Sequence, residues 1–341
     1  MTRERRARRQ PRPRARLLGA AVAVVVAIGA VAFGLSDNGP APATLDGDAR
    51  ADVPLLGSSV LSPASLARTT RQFGRLPIVR VYFPGLPGPY AWTSLAGVNK
   101  SAVIVSFNTS PAAILSGAAN QPLRQFFDHA PRGYPIYYSY FHEPEAHIAR
   151  GQFTAAAYRA AWRHVVALAD AAGNPYLHST LILMGYDLIP AAHRNWKAYL
   201  PRGGTISVLA WDAYPVGSAT NDHPQLTPPS VFMGPAIAAA RSVGLPYGFA
   251  EFGLSTRHGR PGWLAGVGKY LLRSGALFGC LFNGNRQYPT LRLTDSGSIA
   301  VWRHYVHQSA ELDGGRELPA TGQDRHTGTR QWRAASACQR H

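Results

Sequence analysis

Carboxylates are what this chain has least of. Eighteen Asp and Glu stand against 35 Lys and Arg in 341 residues, for a formal charge of +17. Between an apolar leader and the C-terminal tail only three glutamates remain, Glu143, Glu145 and Glu251. Cysteine is nearly missing too, with only Cys280 and Cys338. That excludes a disulfide-framed fold and leaves no Cys/His cluster with zinc-ligand spacing. Cys280 lies in an apolar run and reads as a small buried hydrophobe. The segment His142-Glu143-Pro144-Glu145-Ala146-His147 imitates a zinc-protease motif. Its histidines are one residue too far apart, and Pro144 opposes the helix such a motif needs. Neither a metal nor an organic cofactor is expected.

The positive charge is not organised for nucleic acid. Residues 1–16 hold eight arginines against Glu4, and residues 310–341 hold five against four acids, leaving +9 spread thinly over the rest. No basic helix or aromatic–basic motif accompanies it, so no nucleic-acid partner is expected. One long uncharged run exists, Leu17 to Leu35. Nineteen residues at about 1.5 Å each nearly cross a hydrocarbon core of about 30 Å. With the arginines held on the cytoplasmic side, everything after residue 36 is expected outside the cell. The run exceeds a usual signal-peptide core, favouring an uncleaved anchor, although Ala41-Pro42-Ala43 leaves cleavage and secretion open.

The organisation expected is a basic region 1–16, a membrane or signal segment 17–35, a linker 36–52, a domain 53–309 and a disordered tail 310–341. Leu318-Pro-Ala-Thr-Gly322 in the tail matches a wall-sorting pentapeptide, but the polar segment after it is not the hydrophobic one such a signal needs. Strand-like runs fall at 53–60, 77–83, 101–108, 135–142, 180–186, 205–212, 246–252 and 276–283. Helix-like stretches at 154–172, 230–243 and 262–274 each stop at a glycine. The strands are apolar at consecutive positions, as in parallel strands covered on both faces. Eight of them over about 250 residues fit a (β/α)8 TIM barrel. The competing open sheet advertises a glycine-rich phosphate loop after its first strand, and Gly57-Ser-Ser-Val-Leu-Ser-Pro63 is not one. Trp162 and Trp302 fall in helical stretches and are expected in the core.

Glu143 and Glu251 each close a buried strand, the fourth and the seventh. A carboxylate in that position is costly to desolvate and marks a site of chemistry. In a barrel such residues converge on one rim, where two carboxyls suit glycosidic bond cleavage, one as proton donor and one as nucleophile. Tyr140, Phe141 and His142 surround Glu143 with the apolar setting an acid needs, and Tyr214 is placed to donate to Glu251. Glu145 is expected as a solvated loop acid, with contact to substrate as the alternative. Tyr82, Trp92, Tyr186 and Asn283 lie at or beyond strand ends, where sugar subsites form, and for Trp92 loop packing is an equal reading.

Phe141-His-Glu-Pro-Glu145, Trp196-Lys-Ala-Tyr-Leu-Pro-Arg-Gly203 through Trp211-Asp-Ala-Tyr-Pro215, and Ala250-Glu-Phe-Gly253 resemble glycoside hydrolase family 26 over roughly residues 53–308. That family holds β-mannanases and relatives acting on other β-linked polysaccharides, within the clan of retaining (β/α)8 glycosidases. The resemblance implies Glu143 as acid/base, Glu251 as nucleophile, and His142 in the position before the acid/base. It places Tyr214 where it would orient the nucleophile, and Asp212 as a hydrogen-bonding residue of the rim. The partner implied is a β-linked polysaccharide or oligosaccharide. Two departures concern specificity: Pro144-Glu-Ala-His147 replaces a tryptophan-rich stretch, and Leu281-Phe-Asn-Gly-Asn285 lacks a tryptophan platform. A cell-surface polysaccharide-binding protein on the same barrel is the alternative, and charge-driven binding of anionic envelope polymers is a third.

Overall fold

A computed structural model describes residues 53–60, 62–95, 98, 101–215, 226–284 and 287–313. The basic region, the 17–35 segment, the linker and Cys338 lie outside the described residues. No helix among the described residues is long and apolar enough to cross a membrane.

Eight parallel strands close a barrel in sequence order: β1 (Leu55–Ser59), β2 (Ile78–Phe83), β3 (Ala102–Phe107), β4 (Ile136–Tyr140), β5 (Leu177–Met184), β6 (Val208–Asp212), β7 (Tyr247–Phe252) and β8 (Phe278–Leu281), with β1 pairing β8. The helices between them are α1 (Pro63–Phe73), α2 (Ala91–Ser94), α3 (Pro111–Leu115), α4 (Asn120–Asp128), α5 (Glu145–Ala149), α6 (Ala155–Ala171), α7 (Pro229–Phe232), α8 (Gly234–Ser242), α9 (Arg260–Ser274) and α10 (Ser296–Asp313). The expected barrel is therefore present. Local chemistry sets the helix ends. Thr154 caps α6 by accepting from the Ala157 amide, and Gly173 follows its end at φ 56.

Three expected boundaries move. The 230–243 helix is two helices, broken at Gly234-Pro235, because a proline cannot continue the hydrogen-bond ladder of the preceding turn. β5 starts at Leu177 and ends at Met184, so Tyr186 lies in a 3-10 turn over Gly185–Leu188. α10 runs to Asp313, past the boundary expected at 309. It staples β1: Ser309 Oγ donates to the Pro54 carbonyl and accepts from the Leu56 amide, while Trp302 Nε1 donates to the Gly57 carbonyl.

Alternation along the strands makes two apolar layers. Val79, Val81, Val103, Val105, Tyr138, Leu209 and Trp211 face the helices. Ile78, Ile104, Tyr137, Ile182, Val208, Ala210, Phe278 and Cys280 fill the barrel interior. Cys280 is buried and has no disulfide partner among the described residues, and Trp162 and Trp302 are in the helix-side layer. Continuing the same alternation upward puts Arg80, Ser106 and Asp212 on the inner wall near the strands' C-terminal ends. The interior is thus apolar below and polar at its mouth.

Gly57 makes the closest approach. A Cβ there would sit 1.8 Å from the Ile78 carbonyl oxygen, a backbone atom that cannot step aside. Gly57→Ala is expected to destabilise the barrel by roughly 3 kcal/mol, the upper range for overpacking. Denaturant titration measures it, and a midpoint equal to wild type would contradict the β1–β2 packing.

Candidate active site

Both glutamates sit where a strand gains one residue. On β4 the register Tyr138↔Ser179 would bring the His142 amide to the Ile182 carbonyl; instead Glu143 N donates there at 3.1 Å. The extra residue is absorbed by left-handed backbone at Phe141 (φ 50) and Glu143 (φ 51), unusual for side chains of this size. The turn is held by Phe141 N donating to the Phe107 carbonyl at 2.7 Å and by the Phe141 ring lying edge-on to His147 and Phe153. On β7 the pairing shifts between Trp211↔Phe249 and Asp212↔Glu251. Phe249 and Phe252 both belong to the helix-side layer while Ala250 lines the interior. Glu251 therefore turns inward as the second of two consecutive inner residues. A bulge re-aims a side chain in this way.

The converging groups are Glu143, Asp212, Glu251, His142, Tyr214 and Arg80. One ligand-type atom each of His142, Glu143 and Asp212 lies within 4.8 Å of the others, the one such group among the described residues. A cation would fit these donors, but the buried Arg80 guanidinium beside them already supplies positive charge. Tyr214 donates its hydroxyl to Glu251 Oε2 at 3.1 Å, and Arg80 Nη2 stands 3.7 Å from Glu251 Oε1. Arg80 is 1% exposed, and its Nη1 is held by the Val81 carbonyl and Ser106 Oγ, both at 2.7 Å. Ser106 Oγ also meets His142 Nδ1 at 3.1 Å, and the Tyr82 ring lies edge-on to the imidazole at 4.8 Å.

One buried cation faces three carboxyls, so they cannot all ionise at neutral pH. Burial, then the Glu251 charge, raise Glu143 to about 7, against lowering by Arg80. Asp212 is 3% exposed, and burial, then its two glutamate neighbours, push it well above its ordinary value. Burial raises Glu251 as well, but Arg80 and the Tyr214 hydroxyl draw it back. Burial, then Arg80, lower His142 well below its ordinary value and keep the imidazole neutral. The cluster therefore sets Glu143, which holds its proton up to about 7, beside a donor-supported Glu251. That division suits a proton donor beside a nucleophile.

Several expectations are corrected. Asn283 does not line the mouth: it is 6% exposed, its amide nitrogen donates to Gln72 Oε1 at 2.9 Å, and its oxygen accepts from Leu293 N at 2.8 Å. A side chain so engaged ties the end of β8 to its neighbours. Trp92 stacks on Phe126 and donates Nε1 to the Phe126 carbonyl at 2.7 Å, packing against α4. Glu145 is no solvated acid. It is 0% exposed, and its Oε1 accepts from Met184 N at 2.7 Å. Tyr186 is 39% exposed, with Arg194 over its ring at 5.7 Å. Arg80 was missed, although an arginine centred in Ile78-Val-Arg-Val-Tyr-Phe83 was signal enough.

The raised pKa of Glu143 carries a stability cost with a defined sign. The folded protein holds a proton that the unfolded chain releases above its ordinary value of 4.5, so stability falls as pH rises from there to about 7. Glu143→Gln is expected to match wild type in thermal unfolding at pH 4. At pH 8 it should be more stable by about 2 kcal/mol, a figure reduced for partial solvation. A constant difference across that window would remove the buried-acid assignment.

No protein-family profile matches the sequence, and no curated protein matches it significantly. Solved structures do share the architecture. An endo-β-1,4-mannanase catalytic domain of glycoside hydrolase family 26 from Bacillus sp. JAMB-750 aligns over 75% of this chain and 86% of its own, with TM-score 0.53 and 14% identity. A triple mutant of an endo-β-1,4-glucanase from Xanthomonas axonopodis pv. citri aligns over 75% and 100%, with TM-score 0.53 and 13% identity. A glucosidase from Croceicoccus marinus aligns over 76% and 68%, with TM-score 0.55 and 12% identity. At such identities the likeness is one of fold: the chain is built on the barrel that these glycoside hydrolases use.

Proposed function

We propose that the protein is a retaining β-glycoside hydrolase related to family 26, exported by its N-terminal segment and acting on a β-linked polysaccharide, mannan-like or another β-glycan. The observation carrying this reading is the meeting of Glu143 and Glu251 around Arg80, with Tyr214 on Glu251 and burial on Glu143. In the first step a Glu251 oxygen bonds to the anomeric carbon as the glycosidic C–O bond breaks, and the Glu143 proton passes to the departing oxygen. In the second, water attacks the same carbon, gives its proton to Glu143 and releases Glu251. Arg80 and Tyr214 favour the anionic form of Glu251 against its burial, and neutral His142 offers Nε2 to a sugar hydroxyl without adding charge. The chemistry asks for no metal or organic cofactor.

A second reading, a cell-surface polysaccharide-binding protein, is favoured by the end of β8, where no tryptophan platform stands and Asn283 is occupied internally. The two readings part on one variant. On mannan, glucomannan, mixed-linkage glucan and xylan, Glu251→Ala is expected to lose at least about 10⁴-fold in kcat with the fold intact. Azide should partly restore turnover by entering the space the carboxylate vacates. Glycan binding without reducing-sugar release by the wild type would establish the second reading instead. Proton NMR of the first product should show retained configuration, and inversion would exclude the double displacement.

The pH–rate profile has a fixed sign as well. Because Glu143 must begin protonated, kcat/KM is expected to fall on the alkaline side with a midpoint near the Glu143 value of about 7. Glu143→Ala should remove that limb and spare substrates with a dinitrophenolate leaving group, which need no proton. An unchanged alkaline limb in the variant would remove Glu143 from the acid role.

A further inference from the structure

Glu145 is buried, titratable and unused by the mechanism above. The extra residue on β4 leaves an unpaired group across the strand. In an unbroken ladder the Met184 amide would donate to the carbonyl of residue 142; after the slip it donates to Glu145 Oε1 at 2.7 Å. We propose that Glu145 is a positioning residue for Glu143: its carboxyl takes the place of the missing backbone acceptor, locks α5 to the end of β5, and fixes the left-handed turn that presents Glu143 to Glu251. The role of Glu143 itself rests on the hydrolase reading; the clamp does not.

Three observations support the clamp. Glu145 lies two residues after a backbone held at φ 51, and its bond is the next contact to β5 after that of Glu143 N. A long acceptor side chain is needed there because the Pro144 carbonyl already accepts from the Ile148 amide and the main chain has left the sheet. The carboxyl is also kept neutral. Burial, then Asp187, raise it to about 8, so a fixed acceptor adds no second full charge beside Glu143 near neutral pH. The groups facing it are Asp187 and Arg194 beyond β5, Tyr199, Tyr158 on α6, Asp212 and Glu143 itself. Asp187 is itself paired with Arg194 at 2.9 Å.

The test compares Glu145→Gln, which keeps an acceptor of the same length, with Glu145→Asp, which withdraws it by one methylene. Carboxyl ¹³C NMR of glutamate-labelled full-length protein reads Glu143 directly, since the whole chain has only six glutamates. In Glu145→Asp the Glu143 midpoint should drop from about 7 toward the ordinary 4.5 as its tip swings into solvent. On konjac glucomannan, kcat should fall about 100-fold, the scale of a 1 Å misplacement, with KM within a few-fold. Glu145→Gln should restore both readouts. The clamp is wrong if folded Glu145→Asp keeps the wild-type Glu143 midpoint, or if Glu145→Gln is as damaged as Glu145→Asp. Should the wild type hydrolyse no glycan, the hydrolase reading fails, while the NMR midpoint still decides the clamp.

Discussion

The period-two alternation of a β-strand governs this molecule, and the site exists because that alternation fails twice. An inner-wall residue must be followed by an outer one, so a strand offers the mouth of the barrel every second side chain. On β7, strict alternation from Ala250 would send residue 251 outward, into the layer where Phe249 and Phe252 pack against helices. The register shift opposite Asp212 turns it inward instead. On β4 the slip is a left-handed turn at Phe141 and Glu143. Each irregularity costs backbone hydrogen bonding or torsional energy, and both occur at the C-terminal end of the barrel. The lower barrel, with Ile78, Ile104, Val208 and Phe278 interlocked, is regular and supplies the rigidity that holds them.

Electrostatics in the mouth follow from scarcity. From β1 to β8 glutamate occurs three times, and all three interact, through Glu143, at the same end of the barrel. Three neighbouring carboxyls, Glu143, Asp212 and Glu251, share one buried guanidinium. A single cation cannot support several desolvated anions, so the proton inventory of the site is divided by environment rather than by residue type. Glu251 receives the hydroxyl of Tyr214 and the nearest edge of Arg80, whereas Glu143 has burial and a like charge as its main influences. Asp212 is pushed upward in turn by burial and by the charges of both glutamates. Arg80 spends one nitrogen on the Val81 carbonyl and Ser106, and Ser106 in turn meets His142. β2, β3 and β4 are thereby connected beneath the carboxyls.

Much of this could be read from the chain alone because strands covered on both sides are apolar at consecutive positions. All eight were placed, and Glu143 and Glu251 stood out as acids at the ends of such runs. The misses have physical causes. Gly234-Pro235 broke a helix whose apolar periodicity continued across the break. Glu145 was read as solvated because two residues after a strand end usually means a loop; its burial depends on the one-residue slip, which has no signature in residue type. Asn283 looked like a mouth residue because it follows β8, but its amide is drawn to Gln72 on α1, a contact 211 residues distant in sequence. Arg80 was legible as a lone charge inside an apolar strand, the same signal that found the glutamates.

The distribution of consumed and available groups around the mouth bears on how a sugar would be held. On the β8 side, Asn283 is committed to Gln72 and Leu293. Trp92 is committed to Phe126. What stays open is on the β2 and β4 side: the Tyr82 ring edge-on to His142 and the imidazole itself, whereas Tyr186 carries Arg194 over its ring. Aromatic faces bind sugar rings through their C–H surfaces, and neutral imidazole distinguishes hydroxyl positions by hydrogen bonding. The uncommitted groups are therefore gathered on the Glu143 flank. On that flank Glu143 is fixed with respect to β5. The contact that fixes it is a buried side-chain carboxyl accepting the amide that the departing strand no longer serves.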